Sequence, residues 1–327
     1  MEREIMAFTK SHLFVLISAI SLSTILSFSK VLRGFGISSL EQMFLKVSLG
    51  CLYTLIILLL TGKFRIAKKE DLGIFTIFAL SFSLFIFTAL STIALGTPIA
   101  VATALIYTQP VYTALIAHFS KEESIDLPKG AVMCLAIVGV VLVTGLAEGV
   151  SLSEENTLGI IVGVLAGIMY AVYLKTKRTV KKRGYQPSEM LFTTTLIAMP
   201  VIILLGLVMR LFIHNDSLVG FVIPEGNEWF YVLIFGVTGL ALPYGILNGV
   251  NPKEITPTSE GLLLLLDPSL NLLWSIVIWH QFVSPMQYLG AGLVICAAVI
   301  NNLLKMKKTE KIDKLEKSEE KNVLLAK

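Results

Sequence analysis

Apolar residues run in long blocks along this chain, and polar residues gather in the short intervals between them. Ten such blocks are long enough to cross a hydrocarbon core of about 30 Å as helices. They fall near residues 12–31, 40–61, 72–94, 97–118, 128–147, 157–175, 188–212, 229–248, 257–278 and 284–304. Only the helix-breaking triplet Gly96-Thr97-Pro98 separates the third from the fourth. The first block follows a short start, Met1 to Lys10, with no small-residue cleavage site leading into a soluble domain, so it reads as a retained helix. The pattern predicts an all-α integral membrane protein with ten transmembrane helices.

Composition points the same way, since 55% hydrophobic and 15% charged residues leave too little polar surface to coat a water-soluble body. The N-tail, the even-numbered loops and the C-tail hold 23 of the 27 Lys and Arg residues, the odd-numbered loops hold three, and Lys46 stands inside a span. Short loops rich in these residues stay on the cytoplasmic side. The run Lys175, Lys177, Arg178, Lys181, Lys182 and Arg183 therefore reads as an inner loop, and Glu148 to Asn156, with only acidic charge, as an outer one. Both termini are expected in the cytoplasm and the chain in the plasma membrane, with an N-tail at 1–11 and a charged, partly disordered C-tail at 305–327. The net charge of +4 is a topogenic bias, without the aromatic interleaving of a nucleic-acid surface. Cys51, Cys134 and Cys296 sit singly among apolar neighbours and read as packing residues.

Two of the apolar blocks share a feature: a polar residue followed by proline in mid-helix, Gln109-Pro110 and Asp267-Pro268. Aligning the prolines also pairs Thr113 with Asn271, and the next helix of each copy carries a glycine near its start, Gly130 and Gly290. Helices six to ten would then restate helices one to five. Because five is odd, the second copy enters the membrane from the opposite side, giving an inverted repeat with halves at 12–147 and 157–304. At about 1.5 Å per residue, Asp267 and Gln109 both fall near the bilayer centre. An ionisable group at that depth faces a bundle interior or an aqueous cavity and is a functional candidate by default. Glu260, Asp267 and Asn271 lie on one helix face.

The candidate substrate pathway is Asp267, Gln109, Asn271, Glu260, Asn248, Tyr244, Tyr107, Thr113 and Tyr170, with helix breaks at Pro110 and Pro268. Each has a plainer reading. Asp267 would only hold two helices together, Glu260 would be a solvated acid at a helix N-terminus, and Tyr170, Tyr173 and Tyr244 would belong to an interfacial belt. Lys46 is expected to snorkel or to pair with Glu41. Phe78, Phe82 and Phe85 form a stripe expected to meet lipid or the core, the hydroxyls of helix one to act as packing glue, and Gly159, Gly163 and Gly167 to allow close helix packing.

A membrane-embedded enzyme needs paired aspartates, a His/Asp arrangement or a zinc helix, and this sequence has no HExxH, no phosphate-binding lysine loop and no second mid-membrane aspartate. A channel would need a repeated filter segment or charged ring. A flippase or scramblase for a lipid-linked substrate stays open as the alternative to a transporter of small metabolites. No cofactor or metal is expected.

The run from Thr97, TPIAVATALIYTQPVYTALIAHFSKEE, and its partner around Asp267, TSEGLLLLLDPSLNLLWSIVIWHQ, resemble the paired EamA domains of the drug/metabolite transporter superfamily. The resemblance implies ten helices in two inverted five-helix repeats around a central cavity. It further implies secondary transport by alternating access of an amino-acid-like, nucleoside-like or drug-like metabolite, with Asp267 binding a cationic group or cycling a proton. The partners implied are a small-molecule substrate and the lipid bilayer, with a homodimer left open and no nucleic acid. Three positions depart from the family pattern. Its Glu-Pro of the ninth helix is Asp267-Pro268, its Gly-Glu after the fourth is Lys121-Glu122 with Glu123 beside it, and Trp279-His280-Gln281 after the ninth lacks the acid. Lys46 stands where the family prefers Arg.

Overall fold

The computed structural model describes residues 9–62, 65–95, 97, 99–144, 147, 157–212, 216–278, 280, 284–297, 299–301 and 303–304. The acidic loop at 148–156 and the tail at 305–327 lie outside them. The main elements are α1 (Lys10–Leu22), α2 (Ile25–Gly34), α3 (Ser39–Leu60), α4 (Leu72–Ala94), α5 (Ile99–Ile106), α6 (Gln109–Phe119), α7 (Leu127–Val143), α8 (Thr157–Lys182), α9 (Pro187–Phe212), α10 (Asp216–Val219), α11 (Glu228–Gly236), α12 (Leu242–Leu247), α13 (Pro257–Leu264), α14 (Leu266–Val277) and α15 (Pro285–Asn301). Every element among the described residues is helical.

Among the described residues, six helices are long and apolar enough to cross a membrane: Lys10–Gly34, Ser39–Leu60, Lys69–Thr92, Thr157–Lys182, Pro187–Leu211 and Glu228–Leu247. Large apolar side chains stand exposed on them, Leu60, Leu204, Leu207 and Leu211 among them, as contact with hydrocarbon allows. The two blocks that carry Pro110 and Pro268 are broken helices, α5 with α6 and α13 with α14. Proline has no N–H to give to the preceding turn, so the helix opens there. The same chemistry acts at Pro243, just after a π-helical turn at Val237–Ala241 that joins α11 to α12. The serines of α1 bond across to that irregular stretch: the Ser18 hydroxyl donates to the Pro243 carbonyl at 2.9 Å and Ser21 to that of Thr238 at 2.8 Å.

At the centre α4 packs along α8 through stacked rings. Phe78 lies on Tyr173 at 5.2 Å between centroids and Phe85 on Tyr170 at 4.1 Å, while Phe82 meets the edge of Tyr244 at 5.0 Å. The phenylalanine stripe thus faces the core, and Tyr170, Tyr173 and Tyr244 are buried, which rules out the interfacial-belt reading. α5 lies against the glycine face of α8. A Cβ on Gly163 would stand 2.8 Å from Leu105 Cδ1, and one on Gly167 would stand 2.9 Å from the Leu105 carbonyl oxygen. Two of the cysteines correct the packing expectation, because Cys51 is buried while Cys134 and Cys296 are exposed on their helices.

Candidate functional site

The two broken helices meet at their breaks. α5 ends at Ile106, the chain turns through Tyr107 and Thr108, and α6 starts with Gln109-Pro110. Leu265 separates α13 from α14, whose first turn holds Asp267. That position favours a negative charge through the helix dipole. The Tyr107 hydroxyl donates to Asp267 Oδ2, and Asn271 Nδ2 donates to Oδ1 at 2.9 Å. Nearby, Gln109 Nε2 donates to the Gly261 carbonyl at 3.2 Å, and the Thr113 hydroxyl donates to Gln109 Oε1 at 2.9 Å. Each carboxylate oxygen of Asp267 therefore has a donor, the minimum for burying it at 5% exposure.

Asp267 and Asn271 line a cavity of about 80 Å³ together with Tyr107, Tyr170, Tyr244, Phe85 and Lys46. Gln109, Thr113, Glu260 and Asn248 are outside that lining. Lys46 corrects the expectation most sharply. It neither snorkels nor pairs with Glu41: it is 2% exposed, and its ammonium stands 5.3 Å over the Phe235 ring. Glu41 instead accepts the Val222 N–H at 3.1 Å. One acid and one base thus share a cavity walled by phenols. At about 30 Å³ per water, the volume holds two or three waters.

Beyond the aromatic layer, Glu260 corrects a second expectation. It is not a solvated acid: its carboxylate pairs with Lys177 through Oε1 and with Arg178 Nη1 through Oε2 at 2.8 Å, and all three side chains are buried. Arg178 Nη2 also donates to the carbonyls of Pro252 at 3.1 Å and Ile255 at 2.7 Å. Lys177 and Arg178, expected in an inner loop, belong instead to α8, which continues through both to Lys182. Tyr170, Tyr173 and Lys177 share one face of α8 by their spacing, and that periodicity was the available signal. Asn248, just after α12, is buried with Oδ1 unpartnered among the described residues.

The segment after α6 ties this side together. Glu123 Oε2 accepts from the Thr258 N–H at 3.2 Å and its hydroxyl at 2.9 Å, at the start of α13. Glu122 pairs with Lys175 at 2.9 Å and Lys182 at 2.8 Å. Partial burial would raise the Glu122 pKa, but the two lysines outweigh it and hold the pKa below its ordinary value. Lys121 has φ 55°, the left-handed conformation that glycine adopts without cost, and His280 has φ 48°. Among the described residues no group of His, Cys, Asp or Glu is placed to hold a metal ion.

The model of the EamA-like transporter family matches residues 9–145 and 157–303. Two Helicobacter pylori proteins, from strains J99 and 26695 and each described only as an uncharacterized transporter, are 26% identical over 212 residues and 24% identical over 211. Each match covers 62% of this chain and 64% of the relative, so the chain spans less than two thirds of those proteins. A protein of known crystal structure superposes with a TM-score of 0.73 at 19% identity, covering 91% of this chain and 98% of its own, and so shares the fold.

Proposed function

We propose that this chain, which belongs to the EamA-like transporter family, is a secondary transporter that moves a small amino-acid-like metabolite across the plasma membrane by alternating access. The observation that carries this reading is the buried cavity in which Asp267 and Lys46 stand among three tyrosines. An ammonium group on the substrate would replace the Tyr107 and Asn271 donors on Asp267, a carboxylate would meet Lys46, and the phenols would flank the side chain. Such a pair favours a zwitterion over a nucleoside, which carries no opposite charge for either group. The cavity is smaller than such a substrate, so the reading requires the helices around it to part. The two halves, residues 12–147 and 157–304, would do so by rocking about the two broken helices.

Ten spans in two inverted five-helix repeats are part of the proposal. Two observations support them: the family model matches twice along the chain, and each Pro-broken helix is followed by a non-glycine residue at positive φ, Lys121 and His280. With both termini cytoplasmic, the Glu260, Lys177 and Arg178 cluster lies on the inner side of the cavity, where it would have to shift when the pathway opens inward. Gln109 and Thr113 would act as the polar hinge between α6 and α13.

Uptake and efflux of labelled amino acids, nucleosides and cationic drugs by vesicles holding the full-length chain, with and without a pH gradient, test the reading. Saturable movement of amino acids, with no competition by their decarboxylated amines, is expected. Transport of nucleosides alone would refute the assignment of substrate class.

A further inference from the structure

A groove of about 950 Å³ lies on the flank of the bundle, apart from the central cavity, between the second half of α3, the start of α9 and the stretch from the π-turn into α12. One part of it is apolar and open on the surface: Ile57 is 50% exposed, and Val237 and Leu242 are both exposed with it. Its polar residues gather where α3 ends and α9 begins, at Thr61, Arg65, Gln186 and Glu189. The groove therefore changes from apolar to polar along the helices, as an amphiphile lying parallel to them does.

The charges at the polar end are unequal. Glu189 is buried, its Oε2 accepts the Gln186 N–H at 2.9 Å, and Lys181 lies close enough to interact with it. Arg65 is exposed, and its charge reaches the nearby Tyr185 phenol. A guanidinium at headgroup depth is a fork for phosphate oxygens.

We propose that this groove is a binding site for one anionic glycerophospholipid of the surrounding leaflet, with its acyl chain against Ile57, Val237 and Leu242 and its phosphate on Arg65. The site is separate from the central cavity and does not depend on which substrate is carried.

Native mass spectrometry of the full-length chain, mixed in detergent with phosphatidylglycerol or phosphatidylcholine, tests this. The expected result is one phospholipid retained per chain, with about a fivefold preference for phosphatidylglycerol, the size one near-surface cation gives. Arg65→Gln, a change at an exposed position, should abolish the preference. Ile57→Trp narrows the groove from a lipid-exposed position and should lower retention of both lipids, whereas Leu204→Trp, on a lipid-facing surface outside the groove, should not. Equal retention of the two lipids by the native chain would overturn the proposal. So would a preference that survives Arg65→Gln, or equal retention losses in the two tryptophan variants.

Discussion

Tyr107, at the turn between α5 and α6, donates its hydroxyl proton to Asp267, in the first turn of α14, and so joins the two Pro-broken helices at their breaks. The contact spans 160 residues of sequence and buries both partners. It makes the same carboxylate a fastening between helices and a wall of the central cavity, and the two roles separate experimentally.

Tyr107→Phe removes one of the two donors on a buried carboxylate. Leaving such an acceptor unsatisfied costs about 1–3 kcal/mol, so the melting midpoint of the purified protein should fall. Tyr170→Phe is the control, because Tyr170 lines the same cavity with no hydrogen bond to a described residue. Equal shifts in the two variants would remove the fastening role from Tyr107.

Glu260 neutralises two buried cations, so Glu260→Gln strands them. Breaking a buried pair from one side costs about 3–5 kcal/mol. Adding Lys177→Met to Glu260→Gln should restore part of that loss, with a coupling of about 0.5–3 kcal/mol in thermal unfolding. Additive losses would mean that Lys177 acts only as a topogenic charge.

Gly167→Ala places a methyl group 2.9 Å from the Leu105 carbonyl oxygen and 3.1 Å from the Thr108 hydroxyl, so α5 and α8 must move apart. Overpacking of this kind costs about 1–3 kcal/mol. Gly130→Ala, with nothing within 4 Å of the added atom, should be neutral or stabilising. Matching melting curves for the two variants would contradict the close approach of the helices.

Lys121→Gly should raise stability. The left-handed conformation costs a non-glycine residue about 1–2 kcal/mol, and the greater freedom of glycine in the unfolded chain returns about 0.4–1 kcal/mol of that. The expected gain is between zero and about 1.6 kcal/mol, read as an upward shift of the melting midpoint, and a downward shift would show that the Lys121 side chain is needed.

Helix positions were legible in the sequence because both signals that set them are local: apolar length, and proline's missing N–H. The helices that carry Pro110 and Pro268 are interrupted just before those prolines, at Tyr107-Thr108 and at Leu265, and Gly163 and Gly167 stand against Leu105. The π-turn before Pro243 went unread although the same proline chemistry applies there. The charged core was the least legible part. Lys177 and Arg178 meet Glu260 across 83 and 82 residues, and in a run of six basic residues their topogenic use masks their structural one. Lys46 was assigned by depth alone, which gives its distance from the interface but not the face of α3 that it shares with the cavity. The pairing of Tyr107 with Asp267 follows from two helices crossing, which no local pattern encodes.

Transport by Asp267→Asn bears most directly on the central proposal. The substitution keeps side-chain volume and removes the charge, and the new amide nitrogen can donate to the Tyr107 hydroxyl, which turns from donor to acceptor. Uptake of the amino acid that the native chain carries fastest should be compared in vesicles holding equal amounts of the two proteins, over a range of pH. The expected result is a variant that reaches the membrane at native levels and transports at least about tenfold more slowly, the equivalent of about 1.4 kcal/mol. A variant that transports at the native rate at every pH would contradict a substrate site at Asp267.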